Sequence, residues 1–260
     1  MRTEARAEAG RAMGEACLEL RGVTKRFGGV TAANNVSLAV APGERRIIIG
    51  PNGAGKTTLF NLISGTFPPT AGSIHLFGED ITGLASHRRV ARGLGRTFQI
   101  ITLFATLTVS QNVLLALLGR HPARFVALRS LGRYRALYEE AAERLRSVDL
   151  LERRDEAARL LSNGEQRRLE ILLALAQRPR LLLLDEPMAG LSPGERQAVL
   201  ALLGQIGREI PLVMIEHDMD LALDVADRVT VLHYGEVIAE GSPAEIRANP
   251  TVQEIYLGEE

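Results

Sequence analysis

Disulfides are out of reach for this chain. Cys17 is its only cysteine in 260 residues, so neither an internal disulfide nor a cysteine metal cluster can form. A reducing compartment suits such a sequence. A charge surplus is also missing: Lys+Arg and Asp+Glu both number 31, for a formal net charge of zero. That weighs against a dedicated nucleic-acid binder, where a basic surplus supplies most of the non-specific affinity. No apolar run approaches the roughly 18 residues that a membrane span needs, so any membrane role has to go through a partner. The opening "MRTEARAEAGRAMGEA" lacks an apolar h-region and does not read as a secretory signal. Residues 1–16 are expected to form a flexible tail. Internal repeats and low-complexity linkers are absent as well. What is present is 46% hydrophobic and 24% charged, an ordinary globular composition with length for one large or two small domains.

Residues 17–82 look rich in strand. "CLELRGVTKRF" alternates at Leu18 and Leu20, "NVSLAV" at Val36, Leu38 and Val40 before a turn at Pro42-Gly43, and "GSIHLFGEDI" at Ile74 and Leu76. "RRIIIG" is instead a short continuous apolar run, the pattern of a strand buried on both faces of a parallel sheet. From about 104 to 178 the period becomes helical, with Tyr134, Leu137, Tyr138, Ala141 and Leu145 at three- and four-residue spacings. Arg120, Arg124, Arg129, Arg133 and Arg135 read as a solvated face there. After Pro179 strand and helix alternate: "RLLLLDE", a helix from Pro193, "PLVMIEH", a helix through "MDLALDVAD", and a hairpin "RVTVLHYGEVIAEG". Such alternation argues for an α/β fold with a mostly parallel sheet. Three capping boxes mark helix starts, at Ser162/Glu165, Ser192/Glu195 and Ser242/Glu245, the last two with Pro at the first helical position.

"GPNGAGKTT" fits the phosphate-loop pattern G-x-x-x-x-G-K-[ST], and it follows an apolar strand and precedes a helix, as that motif requires. The loop comprises Gly50, Pro51, Asn52, Gly53, Ala54, Gly55, Lys56, Thr57 and Thr58. Its glycines allow backbone N–H groups to turn inward as an anion nest, and the following helix adds its positive end. Lys56 is expected to reach the β- and γ-phosphates and Thr57 to ligate Mg²⁺. Other strands end in reactive side chains: "LLLLDE" in Asp185 and Glu186, "GRTFQ" in Gln99, "LVMIEH" in His217. Ligands of open α/β sheets bind at these carboxyl ends. Asp185 suits the Mg²⁺-holding acid, and Glu186 the base that polarises an attacking water. His217 is placed to bond the γ-phosphate and that water, and Gln99 to sense Mg²⁺ and water. Phe27 ends the first strand, and its spacing alone fits a purine platform or a core phenylalanine nearly equally.

With these residues identified, the chain resembles the ATP-binding subunit of an ABC transporter over residues 17–260. The matching stretches are the Walker A loop at 50–58, a Q-loop at Gln99, a signature "LSNGEQ" at 161–166, Walker B at 181–186, a D-loop at 189–192 and a switch histidine, His217. The resemblance implies a P-loop NTPase (RecA-like) core with a mostly parallel sheet, an antiparallel β subdomain and an α-helical subdomain. Residues 17–99 and 176–260 would form the ATP-binding core and 100–175 the helical part. It also implies ATP and Mg²⁺ as cofactors and a head-to-tail dimer in which each Walker A loop faces the other subunit's signature. Ser162, Asn163, Gly164 and Glu165 would then line the nucleotide, with Ser162 and Gly164 on the γ-phosphate, and Phe27 would stack on adenine.

A narrower likeness, to the branched-chain amino acid uptake group, rests on "KRFGGVTAANNVSL", "GRTFQIITLFATLTVSQNV", "EPMAGLSPGE" and the ending "IAEGSPAEIRANPTVQEIYLGEE". Urea and short-amide importers and lipopolysaccharide-export ATPases share much of this. The implied partners are a second ATP-binding subunit, identical or paralogous, membrane permease subunits docked on the helical part, and indirectly a periplasmic or extracellular solute-binding protein. No nucleic acid is expected. The implied location is peripheral, on the cytoplasmic face of the cell membrane. Soluble ABC ATPases acting on DNA or ribosomes fit less well, since only about 100 residues without heptads separate the phosphate loop from the signature. Two departures from the family stand out. Asn163 replaces a signature glycine, and a left-handed Asn163 would mimic it; otherwise the signature has changed shape. Ser192 replaces the usual D-loop aspartate, keeping its capping role but not its charge.

Overall fold

The computed structural model describes residues 16–97, 103–119 and 135–257. Gln99, four of the five arginines (Arg120, Arg124, Arg129 and Arg133), Tyr134 and residues 1–15 of the tail lie outside that set. In chain order the strands are β1 (Leu18–Phe27), β2 (Val30–Val40), β3 (Arg45–Ile49), β4 (Ala71–Leu76), β5 (Glu79–Asp80), β6 (Leu94–Arg96), β7 (Leu181–Asp185), β8 (Leu212–Ile215), β9 (Arg228–His233) and β10 (Glu236–Gly241). The α-helices are α1 (Lys56–Ser64), α2 (Ser86–Ala91), α3 (Val109–Leu118), α4 (Arg135–Arg146), α5 (Asn163–Ala176), α6 (Pro193–Gln205), α7 (Met219–Val225), α8 (Pro243–Arg247) and α9 (Pro250–Leu257). The chain divides into two compact units: residues 1–94, 180–186 and 208–260, and residues 95–179 and 187–207.

The first unit is α/β, as the alternating pattern predicts. Its larger sheet runs β10-β9-β3-β8-β7-β6. β3 pairs in parallel with both β8 and β9, and β7 in parallel with β8, while β9 and β10 form an antiparallel hairpin. The continuous apolar runs sit in the middle: every residue of Leu181–Asp185 and Leu212–Ile215 is buried, because a central parallel strand is covered on both faces. A second sheet, β2-β1-β4-β5, is antiparallel. There Val36, Leu38 and Val40 are buried while Ser37 between them is exposed, the period-two pattern of a sheet with one covered face. Leu59, Phe60, Leu62 and Ile63 of α1 share one core with Ile48, Leu183 and Ile215. That core fixes the helix, and hence its N-terminus, against the carboxyl ends of the strands.

The second unit is mostly helical, from α3 to α6. Leu137, Ala141 and Leu145 of α4 are buried, as their spacing predicts, but Tyr138 is exposed. Arg135, the one described member of the arginine group, pairs with Glu139 at 2.8 Å on a solvated face. The boxes at Ser162, Ser192 and Ser242 all form with both reciprocal bonds. A fourth, Thr108 with Gln111 at the start of α3, is the T-x-x-Q form of the same box.

Candidate nucleotide site

The phosphate loop joins β3 to α1. Gly50 and Gly55 have φ of 151° and 100°. A Cβ on Gly50 would stand 2.1 Å from the Leu232 carbonyl oxygen, and one on Gly55 2.3 Å from that of Ala32. Both positions therefore need glycine for conformation and for space. Asn52 and Gly53 are exposed, whereas Pro51 and Ala54 are buried. Lys56 is buried, and its ammonium donates to the carbonyls of Gly50 and of Pro51, the latter at 2.9 Å. Thr57 is exposed and Thr58 half-buried on the first turn of α1. No acidic side chain stands in that turn, so nothing there opposes an anion drawn by the helix N-terminus.

What holds this loop has no local sequence signal. The Gly235 amide donates to the Ala54 carbonyl at 2.9 Å, and the Asn34 amide to the Gly235 carbonyl at 2.8 Å. Tyr234 and Gly235, with φ of 46° and 80°, form the two-residue turn between β9 and β10. Two positive φ values are what a tight hairpin turn of matching twist requires. The "YG" between two alternating strands was the available signal for the turn, though not for its contact.

Asp185 ends β7 fully buried. Glu186 follows at 6% exposure with φ 48°, and its amide donates to the Ile215 carbonyl at 3.1 Å. Left-handed backbone at a non-glycine is uncommon, and such strain gathers at functional sites. Its Oε1 lies 2.5 Å from Nε2 of His217, just beyond β8. The first unit thus brings Glu186 and His217, drawn from neighbouring strand ends, into direct contact. Phe27, at the far end of β1, is 47% exposed. Its ring meets Phe67 edge-on with centroids 5.3 Å apart, and the Lys25 ammonium lies 5.1 Å from its centroid.

Among the described residues no group of three His, Cys, Asp or Glu side chains could hold a metal. A Mg²⁺ site built from Thr57, Asp185 and nucleotide phosphates needs no such group, since Mg²⁺ commonly takes one or two carboxylates plus phosphate and water. The donors present fit that ion in chemistry.

In the second unit Ser162 caps α5, accepting the Glu165 amide at 3.2 Å, while Glu165 Oε2 accepts the Ser162 amide at 2.8 Å. Asn163 is the first residue of the helix and does not have positive φ. The left-handed mimicry of glycine is therefore not what the chain uses. A first-turn position requires right-handed backbone, which asparagine adopts without strain. Gly164 is the position with a steric demand: its amide donates to Glu195 Oε1 at 2.9 Å, and a Cβ there would meet Glu195 Cγ at 2.6 Å.

The family model for ABC transporters matches residues 33–189. The chain belongs to the ABC transporter ATP-binding family. It is accordingly an ATPase of the ATP-binding cassette type, which hydrolyses ATP to power transport. A second model, for the branched-chain amino acid ATP-binding cassette transporter, matches residues 236–260 of this cassette. The cassette is 42% identical over 254 residues to the high-affinity branched-chain amino acid transport ATP-binding protein BraF of Pseudomonas aeruginosa, covering 95% of this chain and 100% of that one. It is 39% identical over 257 residues to LivG, the protein of the same description in Escherichia coli, again covering 95% and 100%. Among solved structures, an ABC transporter cassette in its ADP conformation aligns with a TM-score of 0.82 at 31% identity, over 94% of this chain and 99% of that one. Another, a dimeric cassette in a post-hydrolysis state bound to ADP and phosphate, aligns with a TM-score of 0.74 at 28% identity, over 87% and 98%. No helix among the described residues is long and apolar enough to cross a membrane.

Proposed function

We propose that this cassette powers the import of branched-chain amino acids or closely related small solutes, working on the cytoplasmic face of the cell membrane against permease subunits. The observation that carries the cargo class is the match of residues 236–260 to the branched-chain model, joined to end-to-end similarity with BraF and LivG. The cargo itself is selected by the permease and by a solute-binding protein outside the membrane. The second, mostly helical unit is the docking surface for the permease.

Each residue then has a task. The amides of Gly53, Gly55, Lys56, Thr57 and Thr58 cradle the phosphates, and Lys56 leaves the loop carbonyls to meet the β- and γ-phosphates. Phe27 offers its exposed face to adenine. Thr57 and Asp185 would hold Mg²⁺, which would neutralise charge developing on the phosphates, and Gln99 would act as its sensor. Glu186 accepts the proton of the attacking water, and His217 fixes the carboxylate and bonds the γ-phosphate. Ser162 and Gly164 of a second, identical or paralogous subunit complete the γ-phosphate site, within the loop formed with Asn163 and Glu165.

Affinity purification of the tagged cassette from native membranes tests the cargo class. Permease subunits of a branched-chain amino acid system are expected to co-purify. Recovery of export or urea-system subunits instead rejects that class. The signature role is tested separately with Ser162→Arg in a Glu186→Gln background, mixed with whichever ATP-binding subunit co-purifies. Ser162 is exposed and caps one helix, so the change costs about 1 kcal/mol of stability and leaves the circular dichroism spectrum in place. The ATP-dependent dimer seen by light scattering is expected to vanish. Its persistence would rule out Ser162 as a γ-phosphate ligand.

A further inference from the structure

Glu195 caps its own helix and reaches a second one. Its Oε2 accepts the Ser192 amide at 3.0 Å and the Ser192 hydroxyl at 2.8 Å at the start of α6. Its Oε1 accepts the Gly164 amide, 31 residues back at the start of α5. One side chain therefore holds the Gly164 amide, which would meet a γ-phosphate, and ties it to the last residue of the D-loop. These bonds, led by the Ser192 and Gly164 amides, push the Glu195 carboxyl down to about 2, so it is an anion at every working pH. The lack of a Cβ at Gly164 is what lets the carboxylate in.

We propose that Glu195 is an internal anion that occupies the Gly164 amide of the signature until the γ-phosphate of an ATP held by the other subunit displaces it. The proposal rests on the reading of Ser162 and Gly164 as γ-phosphate donors. A backbone amide carries one hydrogen, and two anionic acceptors repel at hydrogen-bond range. Phosphate and carboxylate therefore exchange at Gly164 and do not share it. Two consequences follow from the geometry. The gain on closing the dimer is the difference between two charge-assisted bonds, which sets the ATP concentration needed. And the released carboxylate remains bonded at Ser192, so arrival of phosphate at the signature is felt in the D-loop. Glu195 thus holds the signature in its resting state and keeps weaker anions off it.

The test uses the full ¹⁵N-labelled chain and inorganic phosphate, read at individual amides by NMR. In the wild type, phosphate is expected to move Gly53, Gly55 and Lys56 and to leave Gly164 in place. Glu195→Gln keeps an acceptor for both helix starts while removing the charge, and Glu195→Ala empties the site. Gly164 is expected to titrate in both variants, at a phosphate concentration at least roughly tenfold below any response of the wild type. Equal titration in all three proteins, or a silent Gly164 in both variants, overturns the proposal. A second readout has the opposite sign from simple loss of a cap. In a Glu186→Gln background, Glu195→Gln is expected to lower the ATP concentration at half-maximal dimerisation, where structural damage would raise it; an unchanged or raised midpoint overturns the proposal. The two readings fail separately. A dimer that survives Ser162→Arg while Gly164 titrates in Glu195→Ala rejects the γ-phosphate role alone, and loss of that dimer with a silent Gly164 rejects the exchange alone.

Discussion

Replacing Glu186 by glutamine is expected to lower ATP turnover by roughly 10²–10⁴-fold, the contribution of a positioned general base, while nucleotide binding is kept. The carboxylate is buried at the end of β7, with Oε1 2.5 Å from His217 Nε2. Glutamine has the same length and can keep a bond to the imidazole, but it cannot accept the proton of water at neutral pH. The backbone gives no reason for a folding defect, since φ 48° strains glutamine and glutamate alike. The phosphate loop belongs to β3 and α1 and is untouched by the change. The measurement is steady-state phosphate release beside equilibrium binding of a labelled ATP analogue. Equal turnover in the two proteins would remove Glu186 from the base role. Lost binding would show that the carboxylate shapes the nucleotide site.

What could be read in the sequence was whatever is encoded within a few residues. The phosphate loop is contiguous, so its glycines, lysine and threonines were visible together, and the strand before it was betrayed by three consecutive isoleucines. The capping boxes at Ser162, Ser192 and Ser242 are three-residue patterns, and all three close in both directions. The ends of β7 and β8 could be named because a central parallel strand must be apolar until it meets the ligand edge. The contact between Glu186 and His217 then follows from the pairing of those two strands, Asp185 opposite Ile215.

Contacts across long stretches of chain were not legible. Nothing in "SPGE" says that Glu195 has an oxygen left over for Gly164. Nothing in "HYGE" says that its turn supports Ala54, 181 residues earlier. Asn163 shows a different obstacle. A family pattern with glycine at that position suggests a need for left-handed backbone, but the need belongs to the conformation, and here the residue sits in the first turn of a helix. The glycine that matters is the next one, and its reason is a side chain arriving from elsewhere.

Arg89 is the clearest case of a residue with no sequence signal, and its replacement by methionine is expected to cost about 3 kcal/mol, the desolvation of backbone carbonyls left unpaired less the relief of burying no charge. It is one of two arginines in the short helix α2, "SHRRVA", yet it is 1% exposed. Its guanidinium donates to four backbone carbonyls: Leu62 at 2.7 Å, Ile63 at 2.8 Å, Leu84 at 2.8 Å and Thr82 at 2.9 Å. The first two lie in the last turn of α1, where the negative end of the helix favours a cation, and the Leu62 carbonyl also accepts the Gly65 amide at 3.2 Å. Burial pulls the guanidinium down to about 10, against the opposing charge of Asp80, so it stays charged at neutral pH. The glycine after the helix makes room for it, since a Cβ on Gly65 would stand 2.6 Å from Arg89 Nε. Methionine restores much of the volume but none of the donors. Each carbonyl left unpaired costs about 1–3 kcal/mol, offset in part because no charge is then buried. At about 2–4 °C per kcal/mol for a chain of this size, the thermal midpoint of the unit that carries the phosphate loop should fall by roughly 10 °C. Arg89→Lys should fall between the two, because one ammonium with three donors cannot serve four carbonyls. Well below the midpoint, binding of the ATP analogue should persist, since the phosphate-loop end of α1 keeps all its own contacts. An unchanged midpoint in Arg89→Met would show that the four carbonyls find water or new partners, and that the arginine is not what closes the phosphate-binding helix.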